Sequence, residues 1–545
     1  MFLHIAGLYF TCHVHGNTEF PRKIINMTSV SQAQDISSKR QLTRNLIFNV
    51  VSFAINFGIS FFFTPYLIRV VGKEAYSFFP LVNNIIGYTS ILTAAVGSMG
   101  GRFVTMRFYK NDIEGANQYF NSVWVANCIL SAIFTVASIV AIIFISDILT
   151  VPQELETEVR WLFAFGALSL SLGLITGMLG MGTYVKNRLD LSASRSVLTN
   201  VIRVVLIFVL FYVFKPSIVY MSLSAFIAVL ANVYLNLSFK RLLLPELTIA
   251  PKRYFSWSKI IEVTKSGIWN SLNQLGSILL NQIDLLITNL FIGAAATADF
   301  AIAKTAPSFI LSLLAMLSGT FMPQFNILYA KGQISELIKS VSRSVSLISL
   351  IIGIPMGFLV VFGRSFFSLW VPDINSDTLY WLSTLSIAPL ILGASINPVY
   401  GLYAATNRLK IPTIALLLGS SIQTVVIFII LKTTDLGIWT IPIVSGGQSI
   451  ARNILFTTAY GGICLGQSWK AFFPALFKGV LGMIIVIAVA YGLQQFIVVD
   501  SWFSFFAALC VVGLISLALN FLIIFNNQDR EIVINLVKSK IFKTN

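Results

Sequence analysis

Apolar residues follow one another in runs of about 20 along most of this chain, and short polar loops separate the runs. An α-helix rises about 1.5 Å per residue, so a run of this length crosses the hydrocarbon core of a bilayer. A β-barrel would show segments of about ten residues with alternating polarity instead. The pattern predicts an all-α integral membrane protein with about fourteen transmembrane helices. The predicted spans are 45–70, 78–101, 120–146, 160–184, 195–214, 217–238, 267–292, 300–327, 342–363, 379–403, 412–431, 437–459, 475–497 and 502–525.

The pattern also repeats once, at an offset of about 220 residues. Asn187-Arg188-Leu189 returns as Asn407-Arg408-Leu409, and Gly72 returns as Gly293. One copy contains six predicted spans, an even number, so both copies enter the membrane from the same side. The sequence therefore predicts two parallel six-helix repeats followed by two C-terminal helices. In such proteins the binding site commonly lies between the halves.

These spans divide the chain into six parts. The first part is expected to be a tail that is either disordered or an overextended gene start, with Met27 as the true initiator. Aromatic and cationic residues beside apolar ones in the connection between the copies favour a short amphipathic helix on the inner leaflet. The parts are the tail 1–41, a first bundle 42–240, a cytoplasmic linker 241–266, a second bundle 267–460, helices 13 and 14 at 461–526 and a cytoplasmic tail 527–545.

The composition agrees with a membrane protein, since 56% of the residues are hydrophobic, 11% are charged and the mean hydropathy is +0.84. The net charge of +16 does not indicate a nucleic-acid partner, because the cations lie in short loops and form no continuous basic face. About 30 of the 37 Lys and Arg residues lie on the side that holds the N-terminus, the even-numbered loops and the C-terminus. The bias predicts that both termini are cytoplasmic.

Several kinds of chemistry find no support in the sequence. The four cysteines are scattered, and the three histidines all lie in the N-terminal tail, so no metal site or disulfide framework is predicted. No phosphate-binding Gly-x-x-x-x-Gly-Lys-Ser/Thr run occurs, and the loops are too short for a nucleotide-binding domain. We therefore expect a protein that is not an enzyme and that carries no cofactor.

Ionisable residues inside spans are costly and become functional candidates. Asp284 in span seven and Lys304 in span eight lie at similar depth, so they could form a structural pair. Arg203 lies about two turns inside span five, whereas Arg102 and Arg452 lie near span ends and could reach the inner headgroups. Because cations outnumber the single carboxylate, the sequence favours an anionic guest such as a diphosphate. Arg203, Lys304 and Arg102 are the candidate contacts, and Asp284 would tune Lys304 or bind a coupling ion.

Three stretches carry a family resemblance. Phe63-Thr64-Pro65-Tyr66-Leu67-Ile68-Arg69-Val70-Val71-Gly72, followed by Ala75-Tyr76, resembles a motif of the Wzx-type polysaccharide transporters in the MOP flippase superfamily. Asn281-Gln282-Ile283-Asp284-Leu285-Leu286-Ile287 is similar to the segment that carries the family's acid in span seven, and Phe300-Ala301-Ile302-Ala303 is an altered form of a later motif. The resemblance covers about residues 42–530.

The resemblance implies a MATE-like, V-shaped pair of six-helix bundles and a role in O-antigen or related polysaccharide biosynthesis. It implies that undecaprenyl-diphosphate-linked oligosaccharide crosses the bacterial cytoplasmic membrane by alternating access. Membrane lipids, H+ or Na+ as coupling ion, and polysaccharide polymerase or assembly proteins are the implied partners. Three alternatives stay open. They are a MATE-like multidrug or cation antiporter, a lipid II flippase, and, in another class, a membrane glycosyltransferase or polymerase.

Overall fold

The computed structural model describes residues 27–524 and Arg530, and over these residues the chain forms helices and no β-strand. The all-α membrane fold is therefore confirmed. The helices of the first half are α1 Met27–Val71, α2 Lys73–Gly87, α3 Ser90–Tyr109, α4 Ile113–Ile143, α5 Ile145–Ile148, α6 Glu156–Thr176, α7 Met181–Val185, α8 Leu189–Val213 and α9 Val219–Leu243.

A single helical turn, α10 Pro251–Tyr254, lies between the halves. The helices that follow are α11 Trp257–Asn281, α12 Ile283–Phe291, α13 Ala294–Ala303, α14 Thr305–Ala330, α15 Ile334–Trp370, α16 Ser376–Ile387, α17 Leu390–Ala405, α18 Lys410–Thr433, α19 Thr440–Ala451, α20 Thr458–Ile463, α21 Phe473–Gln494 and α22 Trp502–Ile523. A π-helical turn, Arg452–Thr457, joins α19 to α20.

Eleven helices in the described part of the chain are long and apolar enough to cross a membrane. The three predicted spans outside this set coincide with interrupted helices. Span two breaks between Gly87 and Ser90, span seven breaks at Gln282, and span twelve contains the π-turn. Each holds polar side chains that lower its hydropathy, so the count of fourteen stays a prediction.

The duplication is visible in the backbone. Glycine and asparagine are the residues that most readily adopt a positive φ angle. Most of the described residues with positive φ fall into pairs at the offset of the sequence repeat. These pairs are Gly72 (88°) with Gly293 (119°), Asn111 (60°) with Gly332 (68°), and Asn187 (52°) with Asn407 (56°).

The two bundles meet at both ends of the molecule. At the end opposite the linker, which we call the far end, one apolar core contains residues from both halves. There the Trp370 indole donates to Phe61 O over 2.8 Å, and Lys73 Nζ lies 3.1 Å from Asp299 Oδ1. At the linker end, Val263 of α11 is fully buried in the core of the first bundle.

The connection between the copies differs from the predicted amphipathic helix. The chain is largely extended from residue 244 to residue 256, apart from the turn α10, and α11 begins at Trp257 and continues into span seven. The aromatic and cationic residues are thus divided between the helical turn α10 and the first turns of a spanning helix. Helix α1 begins at Met27, within the predicted tail. The rest of that prediction, residues 1–26, and most of the predicted C-terminal tail lie outside the described residues.

Candidate substrate cavity

A cavity of about 990 Å³ lies within the second bundle and reaches the first bundle at Ser60, Pro80 and Asn84. Helices α11, α14, α17, α18 and α19 form most of its wall. Its lining combines amides and hydroxyls with aromatic rings and three charged residues. The charged and amide residues of the lining are Asp284, Lys304, Arg452, Asn84, Asn270, Asn273, Asn281, Gln282, Asn397 and Asn453.

Interrupted helices position the charged end of this cavity. The break between α11 and α12 exposes the carbonyls of Asn281 and Gln282. Lys304, at the junction of α13 and α14, donates from Nζ to Asn281 O over 2.8 Å. Tyr88 Oη donates to Gln282 O over 3.3 Å, and Asn84 Nδ2 lies 3.4 Å from the same oxygen. Side chains of both bundles thus donate to the carbonyls at the helix break.

Asp284 and Lys304, which the sequence analysis placed at similar depth, form an ion pair. Lys304 Nζ lies 2.9 Å from Asp284 Oδ2 and 5.4 Å from the centre of the Phe300 ring. Asp284 is buried, and its second oxygen, Oδ1, is buried without a hydrogen-bond partner. Lys304 is therefore neutralised locally by Asp284, while one carboxylate oxygen stays available to another donor.

Arg452 is the cation of the cavity wall for which the described residues offer no ion-pairing carboxylate. It begins the π-helical turn, its guanidinium carbon lies 5.8 Å from the centre of the Tyr400 ring, and its Nε is buried without a hydrogen-bond partner. Tyr400 Oη in turn donates to Asn453 Oδ1 over 2.7 Å. The arrangement presents a planar cation, stacked on an aromatic ring, to the cavity.

Arg452 lines the cavity, whereas the sequence analysis left open that its side chain reaches the inner headgroups and did not include it among the candidate contacts. A signal in the sequence could have found it. Ser445, Ser449 and Arg452 follow one another at spacings of four and three residues, and Phe456 comes four residues later. All four line the cavity. That spacing marks one face of a helix, and a polar stripe inside an apolar span indicates a wet interior.

Arg203 and Arg102 do not line the cavity. Arg203 lies on α8 in the first bundle, partly buried, and is close enough to the Tyr76 hydroxyl to interact with it electrostatically. Arg102 lies on α3 with its side chain exposed. The cavity thus brings together two of the four candidates, Lys304 and Asp284, and adds Arg452. A substrate role for any of them stays a prediction.

A metal site finds no support in this part of the structure. No group of three or more His, Cys, Asp or Glu side chains that could hold a metal ion occurs among the described residues.

This architecture is that of a multi-pass helical membrane protein. Its sequence matches the family described as "Polysaccharide biosynthesis protein" over residues 42–328, and the chain belongs to that family. It is also 27% identical over 496 residues to the "Uncharacterized membrane protein EpsK" of Bacillus subtilis (strain 168), a match that covers 91% of this chain and 97% of that protein.

Solved structures share the fold. An outward-facing multidrug resistance MATE family transporter of the MOP superfamily gives a TM-score of 0.58 at 15% identity, with 78% of this chain and 96% of that chain covered. An inward-facing MATE structure gives a TM-score of 0.55 at 16% identity, with 77% and 98% covered. A MOP superfamily transporter from Pyrococcus furiosus, which is described as having a binding pocket of reverse polarity, gives a TM-score of 0.54 at 15% identity, with 77% of this chain and 95% of that chain covered. The MATE-like bundle predicted from the sequence is confirmed.

Proposed function

We propose that this protein moves an undecaprenyl-diphosphate-linked oligosaccharide from the inner to the outer leaflet of the bacterial cytoplasmic membrane by alternating access. It does so as a transporter and not as an enzyme, with both termini in the cytoplasm. The observation that carries the proposal is the polar cavity inside an apolar bundle, with Arg452 facing it and no described carboxylate paired with this arginine.

The cavity suits a sugar diphosphate headgroup. A guanidinium offers a planar set of donors that matches phosphate oxygens, and the guanidinium of Arg452 lies over the Tyr400 ring. The amides of Asn270, Asn273 and Asn397 offer both donors and acceptors for sugar hydroxyls. A volume of about 990 Å³ lies at the upper end of the range for ligand pockets, which runs to about 1,000 Å³. The lipid tail would stay in the bilayer while this headgroup crosses.

The charges of the cavity argue against a cation exchanger. Its single carboxylate, Asp284, already pairs with Lys304, so the lining keeps a net positive charge. A drug cation would need carboxylates that are not already neutralised. The free Oδ1 of Asp284 supports a role in binding the coupling ion, H+ or Na+, while Lys304 holds the other oxygen. Polymerase or assembly proteins would take up the flipped product.

The test is deletion of the gene, followed by analysis of lipid-linked oligosaccharides and surface glycan. We expect surface glycan to be lost while complete repeat units accumulate in the inner leaflet. Complementation with the wild-type gene should restore display, and Arg452→Gln should not. Intact surface glycan with new sensitivity to cationic drugs would contradict the proposal and favour the antiporter. Arrest of cell-wall synthesis would favour a lipid II flippase, and sugar transfer by the purified protein would indicate a glycosyltransferase.

A further inference from the structure

Two asparagines of α4 hold the chain between the bundles in an extended form. Asn117 Nδ2 donates to Glu246 O over 3.1 Å, and its Oδ1 accepts from Thr248 N over 2.8 Å. Asn121 Nδ2 donates to Thr248 O over 2.9 Å, and its Oδ1 accepts from Ala250 N over 2.8 Å. Four residues of helix rise about 6 Å, close to the roughly 6.6 Å that two extended residues span, so the two periods match. We call this set the amide ladder.

The first turns of α11 are fastened to the same helix. Tyr119 Oη donates to Glu262 Oε2 over 2.7 Å, and Lys259 Nζ lies 4.7 Å from the centre of the Tyr119 ring. Arg107 approaches the same ring, at 6.0 Å. Val263, one turn after Lys259, is fully buried in the core of the first bundle. The linker end of α11 is therefore packed as a part of the first bundle.

The middle of α11 continues this attachment through α3. Ser271 Oγ donates to Ile91 O over 2.6 Å, and Gln274 Nε2 donates to Ser90 Oγ over 3.0 Å.

On its other side α11 packs against α18 of the second bundle in a different way. Gly276 packs against Leu416, and Lys410 Nζ lies 5.8 Å from the centre of the Trp269 ring. Gln423 Nε2 donates a hydrogen bond to Leu280 O, in the last turn of α11, over 3.3 Å. Apolar and ring contacts of this kind slide more readily than directional hydrogen bonds.

The run of contacts that fastens α11 to the first bundle ends where the helix breaks, and the chain beyond the break meets the first bundle again at the far end, where Asn289 Oδ1 accepts from Thr150 N. Helix α11 ends at Asn281 and α12 begins at Ile283, and the carbonyls of Asn281 and Gln282 accept from Lys304 of the second bundle and Tyr88 of the first. The break interrupts the helical hydrogen-bond ladder, so bending costs less here than in a continuous helix.

We propose that residues 246–281 move with the first bundle, and that rocking of the bundles bends span seven at Asn281–Gln282. Since α11 and α18 both line the cavity, their sliding interface is then the gate through which the headgroup enters. The mechanical boundary between the two moving bodies lies about 15 residues beyond the boundary of the sequence repeat at 266–267. The inference rests on the proposed alternating access.

Disulfide cross-links in a variant without native cysteines test this assignment. One pair, Ser90→Cys with Gln274→Cys, joins α11 to the first bundle. A matched pair, Gly276→Cys with Leu416→Cys, joins α11 to the second bundle. A Cβ at Gly276 would lie 2.8 Å from Leu416 Cγ, so shortening Leu416 to cysteine makes room for the bond.

Glycan display measured before and after oxidation gives the result. We expect the first cross-link to change transport by less than about twofold and the second to reduce it at least about tenfold, with recovery on reduction. The opposite pattern would overturn the inference. The reduced samples show that each variant folds and works.

A third pair, Lys73→Cys with Asp299→Cys, separates this inference from the proposed function. A bifunctional thiol reagent that spans the space of the two lost side chains closes the far end between the bundles, so complete cross-linking should stop any rocking transporter. If complete cross-linking of this pair leaves transport unchanged, alternating access itself is wrong. If it stops transport and the Ser90–Gln274 cross-link stops it equally, only the assignment of α11 to the first bundle is wrong.

Discussion

Lys304 and Arg452 line the same cavity in different electrostatic states. Lys304 is bound by Asp284 and by the carbonyl of Asn281. Arg452 rests on the face of Tyr400 with a buried Nε that has no hydrogen-bond partner. A buried donor without a partner is costly unless a ligand or water supplies the acceptor. We therefore propose separate roles for the two cations, Lys304 in holding the helix break and Arg452 in binding an anion.

Substitution of Arg452 tests the second role. Arg452→Gln removes a charge-assisted hydrogen bond worth about 1.5–3 kcal/mol, so we expect surface glycan to fall by about tenfold or more. Arg452→Lys keeps the charge but loses the planar fork and should give an intermediate value. Quantified glycan at matched protein levels is the measurement. Arg203→Gln and Arg102→Gln, which lie outside the cavity, should lower surface glycan less. If Arg203→Gln lowers surface glycan as much as Arg452→Gln does, the anion would be placed in the first bundle instead.

Exchange of Asp284 and Lys304 tests the first role. Asp284→Asn leaves Lys304 without its ion pair and should lower the free energy of unfolding by up to about 3 kcal/mol, because Lys304 is only partly exposed. The double exchange, Asp284→Lys with Lys304→Asp, should recover much of the thermal stability in detergent. It should not recover transport, because a carboxylate cannot donate to Asn281 O. Full transport by the double variant would show that the pair is only structural.

At the scale of elements, the apolar pattern predicted where helices lie but not where they break. Neither Tyr88 nor Gln282 is a residue that breaks helices by itself, and both lie within predicted spans. The hydrogen bond that joins them links residues 194 positions apart, so no local pattern contains it. The sequence identified Asp284 and Lys304 through the cost of charge in lipid. It did not select Arg452 as a candidate, because closeness to a span end does not reveal which way a side chain points.

The amide ladder yields a prediction about proteolysis. Asn121→Ala leaves Thr248 O and Ala250 N without their partners, which should cost about 2 kcal/mol of local stability. We expect the 246–256 segment to be cleaved several-fold faster by an added protease in membrane vesicles open at the linker side. Ser238→Ala, at a half-buried position on α9 where the hydroxyl bonds within its own helix, serves as the control. Unchanged cleavage would mean that the turn α10 alone fixes the segment.

The Tyr119 cluster yields a prediction about pH. The hydrogen bond from the Tyr119 hydroxyl, assisted by Lys259, holds the pKa of Glu262 below its ordinary value of 4.5. A carboxylate with a depressed pKa stabilises the folded state above the unfolded-state pKa, and this stability is lost as the pH falls through the folded-state pKa. Unfolding measured from pH 7 down to pH 3 should therefore show a loss below about pH 4.5, and Glu262→Gln should lessen it. If Glu262→Gln loses the same stability at low pH as the wild type, Glu262 does not stabilise α11 through its charge.

At the scale of the whole molecule, the far end is closed by contacts between the bundles. Lys73 pairs with Asp299, Thr150 N donates to Asn289 Oδ1 over 3.0 Å, and Trp370 bonds to Phe61 O. These contacts stabilise one of the two states that an alternating-access transporter must visit.

Reversing the charge of Lys73 at the far end should change the relative populations of the closed and open states. The Lys73–Asp299 pair is partly exposed and worth about 1 kcal/mol, so Lys73→Glu should raise the population open at the far end by about fivefold. A thiol reagent that cannot cross the membrane should then label Ser60→Cys, in the cavity wall, faster from outside the cell. Lys73→Glu with Asp299→Lys should restore the slow rate. Equal labelling rates in all variants would show that the Lys73–Asp299 pair does not hold the far end closed.

The amide ladder also has a consequence for how the molecule can diverge. The positions that correspond to Asn117 and Asn121 in the second copy hold Ile338 and Ser342, so the amides that fasten the linker belong to the first copy alone. The cavity lies almost wholly in the second. The first copy thus holds the linker, and the second copy forms most of the cavity wall. If the protein exports a glycan as proposed, a chimera that takes residues 294–463 from a relative should change the glycan that is exported while the amide ladder stays intact.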